Sequence, residues 1–217
     1  EDPQNNQTTN LLMLCPTCHS KITKGDISNE EVIKTKQRVS GELKPKLPKE
    51  VEELLIKGKN TINESKLKEA GLIYVEALEL SEKLNDNFAI AKCKLALAGI
   101  FNYMHEFPDE SLKYIKESQR YFRDNSLDEN LADALYQAAM AELTIEDFGN
   151  ARIHLLEAIE INQRLNDKLG EAECYRQMGW MEHGQGHLNK SKEYYHKAIE
   201  ICEQEYTKQD MKLTTSQ

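Results

Sequence analysis

A pair of cysteines separated by two residues, Cys15 and Cys18, with His19 directly after them, is the one candidate metal motif in the sequence. Two thiolates at this spacing can share one Zn²⁺, because the tight knuckle between them turns both sulfurs to one side. Tetrahedral zinc takes four ligands, and the 217 residues hold no second C-x-x-C. Two readings follow: part of a zinc site, or an isolated knuckle with no partner. The other cysteines, Cys93, Cys174 and Cys202, are scattered and read as small, half-buried apolar residues. Five unevenly spaced thiols fit a reducing compartment better than a disulfide framework, so a cytoplasmic location is expected.

The elements that would position this motif are local. Asn10-Leu11-Leu12-Met13-Leu14 forms a short apolar strand that ends at the knuckle, and a polar, helix-prone stretch starts at His19. Further on, Ser28-Asn29-Glu30-Glu31 has the spacing of a capping box. Residues 41–49 carry two prolines and three lysines and read as an exposed linker. The net charge is −9, unevenly spread: +1 over residues 1–50, with +4 inside 20–49, and −10 over 51–217. An acidic body repels a phosphate backbone, so any DNA contact belongs to the first fifty residues; the plainer reading is that the acidic charge only confers solubility. With 39% hydrophobic and 30% charged residues, the composition suits a helix-rich globular protein and excludes a collagen-like or disordered polymer. No apolar run approaches the roughly 18 residues of a membrane span, and no basic-then-apolar leader opens the sequence, so no membrane partner is expected.

Residues 50–206 are dominated by a repeat of about 40 residues. Three columns hold only small side chains in all four copies. They are Gly58, Gly99, Ala139 and Gly179; then Ala70, Ser111, Ala151 and Ser191; then Ala77, Ser118, Ala158 and Ala198. Small residues allow two helices to approach closely, while Leu67, Leu95, Leu135, Phe148, Tyr175 and Leu188 fill the space beside them. Apolar spacing of three and four predicts eight helices near 50–62, 66–84, 88–104, 108–123, 129–144, 148–165, 168–184 and 188–206. Turn signals such as Asn85-Asp86-Asn87 and Asn166-Asp167 punctuate them, and residues 207–217 read as a polar, frayed tail.

These columns resemble the tetratricopeptide repeat (TPR), in a longer variety than the standard unit of about 34 residues. The third copy departs from the pattern with Ala139, and the second with Phe107 one place early before Pro108. The resemblance implies an all-α solenoid of about four helix-turn-helix repeats whose first helices line a concave face. Carried over, that face comprises Glu52, Leu55, Lys59 and Ile62; Cys93, Ala96, Ile100 and Tyr103; Asp133, Tyr136, Met140 and Leu143; Glu173, Arg176, Trp180 and His183. Ile100, Tyr103, Tyr136, Met140, Leu143, Arg176, Trp180 and His183 are the expected partner-binding set, for a protein, an apolar peptide or self-association. The same stripe also fits packing between repeats, and Trp180 equally fits a cap over the last repeat.

The string Asn10-Leu-x-x-Leu-Cys15-x-x-Cys18-His19 resembles the second half of an HNH nuclease motif, a small ββα-metal module, and the likeness covers about residues 5–40. The resemblance implies that Asn10 orients the catalytic site, that Cys15 and Cys18 bind structural zinc, and that His19 ligates a catalytic Mg²⁺ or Mn²⁺. It implies a module at residues 1–40 that contacts DNA. Upstream, Glu1–Thr9 resembles the loop joining the two halves of such a motif and contains no Asp-His pair. Residues 1–217 alone are therefore expected to lack the general base and not to cut DNA. Two functions follow: a TPR sensor controlling an attached HNH-type endonuclease, as in bacterial defence effectors, or a non-enzymatic TPR adaptor with a structural zinc knuckle.

Overall fold

The computed structural model describes residues 45–215, with side chains described through residue 207. Among them are eight helices and no strand. They are α1 (Lys49–Asn63), α2 (Leu67–Lys83), α3 (Asn87–Met104), α4 (Pro108–Asp124), α5 (Asp128–Thr144), α6 (Phe148–Leu165), α7 (Lys168–Gly184) and α8 (Leu188–Thr215). Residues Leu47–Arg123 and Asp128–Gln217 form one compact unit. Helices adjacent in sequence pack together, and the odd-numbered ones stack successively, α1 on α3 and α3 on α5. The result is an all-helical solenoid of helix-turn-helix repeats. α8 differs from the expectation: it stays helical to Thr215, through residues expected to form a frayed tail.

The turns repeat with a regularity that the sequence only half discloses. Ser65, Asn85, His105, Ser126, Glu146, Asn166 and Gly186 all have left-handed φ between 53° and 78°, at steps of 20 or 21 residues. At six of them the same hydrogen-bond pair closes the preceding helix. Asn85 N–H donates to Glu82 O (3.0 Å) and Asp86 N–H to Ser81 O (3.1 Å), and Asn166 and Asp167 do the same with Gln163 and Asn162. This is the Schellman arrangement, which satisfies the last carbonyls of a helix. Asp86, Asp147 and Asp167 then cap the next helix, accepting from the N–H of Ala89, Asn150 and Gly170 at 2.9, 3.2 and 3.0 Å. One residue thus both ends a helix and starts its neighbour, which keeps each connection short. The second repeat is irregular at Phe107, whose φ is 52°, and Pro108 follows as the first residue of α4. The Phe107 ring packs edge-on against Phe101 at 5.6 Å.

The small columns lie where helices meet. All four members of the second and third columns are buried, as are Gly58, Ala139 and Gly179, while Gly99 is half-buried. A Cβ on Gly58 would sit 2.2 Å from Tyr74 Cε1, and one on Gly179 would sit 2.8 Å from Tyr195 Cδ1. Glycine therefore appears where the second helix presents a tyrosine ring. In the third repeat the matching residue is Leu155, fully buried, and Ala139 stands in place of glycine. In the second repeat the matching residue is Ile115, and a Cβ on Gly99 meets nothing nearer than Gln137 at 3.8 Å. Two column members are serines placed at the crossing: Ser118 Oγ donates to Ala91 O at 2.9 Å, and Ser111 Oγ lies 3.3 Å from Ala98 O.

Buried charge ties the last repeats together. Glu182 is fully buried, with Arg152 Nη2 at 2.5 Å and His187 Nδ1 at 2.7 Å. Burial disfavours its charge, but the bonds from His187 and Arg152 outweigh this and hold the carboxyl below its usual range. Forty residues earlier, Glu142 binds His154 Nδ1 at 2.7 Å.

The glycine contacts predict opposite outcomes for two alanine substitutions. Gly58→Ala should destabilise the protein by about 1–3 kcal/mol, because a Cβ 2.2 Å from the buried Tyr74 ring forces that ring to shift. Gly99→Ala should be neutral or stabilise by up to about 1 kcal/mol through helix propensity. Urea denaturation followed by circular dichroism measures both.

Candidate functional site

The first helices of consecutive repeats line two adjoining hollows in the concave face. One, of about 380 Å³, is walled by Leu55, Lys59 and Ile62 of α1, Lys92, Ala96 and Tyr103 of α3, and Asp133 and Tyr136 of α5. The other, of about 270 Å³, continues from Tyr103 and Tyr136 to Asn102, Met140, Glu173, Arg176 and Gln177. Both are open clefts, as expected where side chains from several helices converge without closing over.

A hydrogen-bonded floor crosses the repeat boundaries. Asn102 Nδ2 donates to Gln137 O and Gln137 Oε1, both at 3.0 Å, and Ser111 Oγ donates to Asn102 Oδ1 at 2.7 Å. Between the next repeats, Tyr136 OH donates to Glu173 Oε1 at 2.7 Å, and Gln177 Nε2 donates to Tyr136 OH at 2.9 Å. Arg176 grips the same carboxylate with Nε and Nη2 at 2.8 and 2.5 Å. The Arg176 bond is the main reason the Glu173 carboxyl is held below its usual range, with Tyr136 adding to it. Burial, then the bond to Glu173, raises the Tyr136 phenol well above the usual tyrosine range. Asp133 is open to water but surrounded by protein, which raises its carboxyl, while Lys92 and Lys59 act in the opposite sense.

The expected site residues separate on this surface. Tyr103, Tyr136, Met140 and Arg176 line the clefts. Ile100 and Leu143 do not: they are 2% and 5% exposed and belong to the helical core. In α3 the lining register is Lys92, Ala96, Gly99 and Tyr103, which turns Cys93 and Ile100 inward. Trp180 is 51% exposed, and His183 lines a separate hollow of about 240 Å³ with Leu188, Tyr195 and Ile199. The groove is thus more polar than an apolar-peptide site. Lys92, Asn102, Gln137 and Gln177 enter it although sequence reasoning passed over them, and the signal was two glutamines forty positions apart in otherwise apolar helices. Of the thiols, Cys93 and Cys174 are buried, the latter pushed up to about 12 by that burial, and Cys202 is exposed.

Asn10, Cys15, Cys18 and His19, with the expected module at 1–40, lie outside the described residues. Among the described residues no group of three or more His, Cys, Asp or Glu could hold a metal ion, and no helix is long and apolar enough to cross a membrane.

Residues 130–204 match the tetratricopeptide repeat family. No curated protein matches the sequence. Several solved structures share the fold at low identity. BtubC (BKLC) from P. vanneervenii is 20% identical with a TM-score of 0.58, over 70% of this chain and 61% of its own. A Rap protein complexed with competence and sporulation factor is 15% identical with a TM-score of 0.66, over 87% of this chain and 58% of its own. MamA is 20% identical with a TM-score of 0.52, over 87% of this chain and 95% of its own. The chain therefore spans less than two thirds of the length of BtubC and of the Rap protein.

The Tyr136–Glu173 bond gives a pH-dependent prediction. Tyr136→Phe should cost about 1–2 kcal/mol near neutral pH, as expected for a bond to a charged acceptor that is partly open to water. Because the folded Glu173 carboxyl is depressed, its contribution is present above the unfolded value and is lost as pH falls through the folded one. The difference in melting temperature between wild type and variant should therefore shrink in acid.

Proposed function

We propose that this chain is a protein-interaction module that seats an extended peptide segment of a partner along the clefts of α1, α3, α5 and α7. The observation that supports this most directly is the floor of side-chain amides and tyrosines shared between consecutive repeats. An extended segment carries unpaired backbone N–H and C=O groups, and Asn102, Gln137 and Gln177 can both donate and accept. Leu55, Ile62 and Ala96 supply apolar contact, Tyr103 an exposed aromatic anchor, and Lys59 and Lys92 a site for an acidic side chain. The Rap protein of similar fold, solved with competence and sporulation factor bound, is in keeping with this use.

Panning a random peptide library against the full chain tests the reading. Selected peptides should lose tenfold or more in affinity to Tyr103→Ala and to Lys92→Glu, with helicity unchanged. Peptides that bind both variants as well as wild type would place the interaction elsewhere and refute the cleft.

For residues 1–40 we propose an HNH-type half-module that contacts DNA and is governed by the repeat array, with Cys15 and Cys18 on structural zinc and His19 on a catalytic Mg²⁺ or Mn²⁺. The string from Asn10 to His19 and the basic charge of residues 20–49 support it. A natural protein that carries the motif's first half upstream should bind zinc, measurable by atomic emission, and nick plasmid DNA with Mn²⁺. His19→Ala should abolish nicking. No nicking by the zinc-loaded protein would leave the adaptor reading in its place.

A further inference from the structure

One glycine of the first small column is not accounted for by helix pairing. Gly58 and Gly179 face Tyr74 and Tyr195, and a Cβ on either would press into the ring. The counterpart of Gly99 is Ile115, a buried aliphatic residue like Leu155, whose own counterpart is Ala139. By that comparison an alanine would serve at position 99. There is room for it: the nearest heavy atoms to a Cβ there belong to the Gln137 side-chain amide, at 3.8 Å, an ordinary contact distance. Residue 99 also lies well inside α3 (Asn87–Met104), where no cap or turn calls for glycine. Glycine in a helix interior is disfavoured relative to alanine, because it loses more backbone freedom on folding.

What sets Gly99 apart is the concave surface. Four residues wall both clefts: Gly99 and Tyr103 on α3, and Tyr136 and Gln137 on α5. Gly99 is half-buried, so its bare backbone forms part of the wall where one hollow passes into the other. Ala96 and Tyr103, three residues before it and four after, share its helix face, so α3 is shallow here up to the Tyr103 ring. The Gln137 amide overlooks the same place from α5. Its Oε1 accepts from Asn102 Nδ2 at 3.0 Å, which leaves Nε2 as the donor on this wall.

We propose, resting on the peptide-binding role inferred above, that one continuous segment passes from the first cleft to the second with its main chain laid directly on Gly99, and that Gln137 Nε2 donates to a carbonyl of the residue that crosses. A missing side chain lets a helix backbone and a ligand backbone approach to van der Waals contact. The crossing residue turns main chain rather than side chain to α3, so its type is not read. Sequence preference falls on the side chains that enter the clefts. The first takes an acidic one beside Lys59 and Lys92. The second takes an uncharged one near Met140, because Glu173 and Arg176 there already satisfy each other.

The probe is a fluorescein-labelled peptide from the panned library, chosen because Lys92→Glu and Tyr103→Ala each weaken it tenfold or more. Anisotropy reads binding, and urea denaturation reads stability on the same full-chain proteins. Gly99→Ala should weaken the peptide at least fivefold while the urea midpoint stays or rises, a combination that a purely packing role would not give. Gln137→Glu keeps an acceptor for Asn102 and loses the donor, and should also weaken the peptide at least fivefold with helicity unchanged. Alanine scanning of the peptide should find a tolerant position between an acidic determinant and an uncharged one. A library that yields no peptide dependent on Lys92 and Tyr103 removes the cleft and the crossing together. With such a peptide in hand, a loss below fivefold in either variant, a urea midpoint that falls in Gly99→Ala, or determinants with no tolerant position between them would overturn the crossing and leave the cleft standing.

Discussion

Close approach of paired helices is the constraint from which the rest of this molecule follows. Tyr74 can lie across α1 only because Gly58 has no side chain, and Tyr195 across α7 only because of Gly179. Where the opposing residue is the smaller Leu155, a methyl group at Ala139 is accommodated. The size of one side chain thus sets the size of its counterpart on the other helix, repeat by repeat, and an interior built this way tolerates small changes of volume poorly. That tight pairing fixes each helix hairpin as a unit. The stacking of hairpins then brings α1, α3 and α5 side by side and creates a surface to which four repeats contribute.

The connections serve the same end. A left-handed residue every 20 or 21 positions closes one helix, and the aspartates at 86, 147 and 167 open the next without a spacer. Short, doubly bonded turns leave little freedom in how one helix leaves another. This regularity lets side chains from separate repeats meet at hydrogen-bonding distance, as Asn102 meets Gln137 and Tyr136 meets Glu173.

Helix positions were readable from sequence because apolar spacing and small columns report the same packing twice. The predicted 148–165 and 168–184 coincide with α6 and α7, and the Ala139 departure has a volume explanation. The turns were legible at Asn85 and Asn166, whose residue type favours left-handed backbone, and not at Ser65 or Glu146, which adopt it because the neighbouring helices impose it. The groove was harder. A carried-over register placed Ile100 and Cys93 on the concave face, but α3 presents Lys92 and Gly99 there, and a displacement of one residue turns a helix by about 100°. Side-chain amides such as Gln137 and Gln177 escaped notice because a polar residue on an apolar stripe ordinarily signals the stripe's edge and here forms a floor.

The ties at the bottom of the clefts have a mechanical consequence. Asn102, Gln137, Tyr136 and Glu173 are the groups nearest to hand for any molecule lying in the concavity, and they are also the rivets between one hairpin and the next. A guest that borrows a bond from Gln137 or Tyr136 loosens a seam, and one that bridges both sides of the seam stiffens it. Occupancy of the clefts and the elastic compliance of the array would therefore be a single property, and pulling on the ends of the array would change how firmly a guest is held.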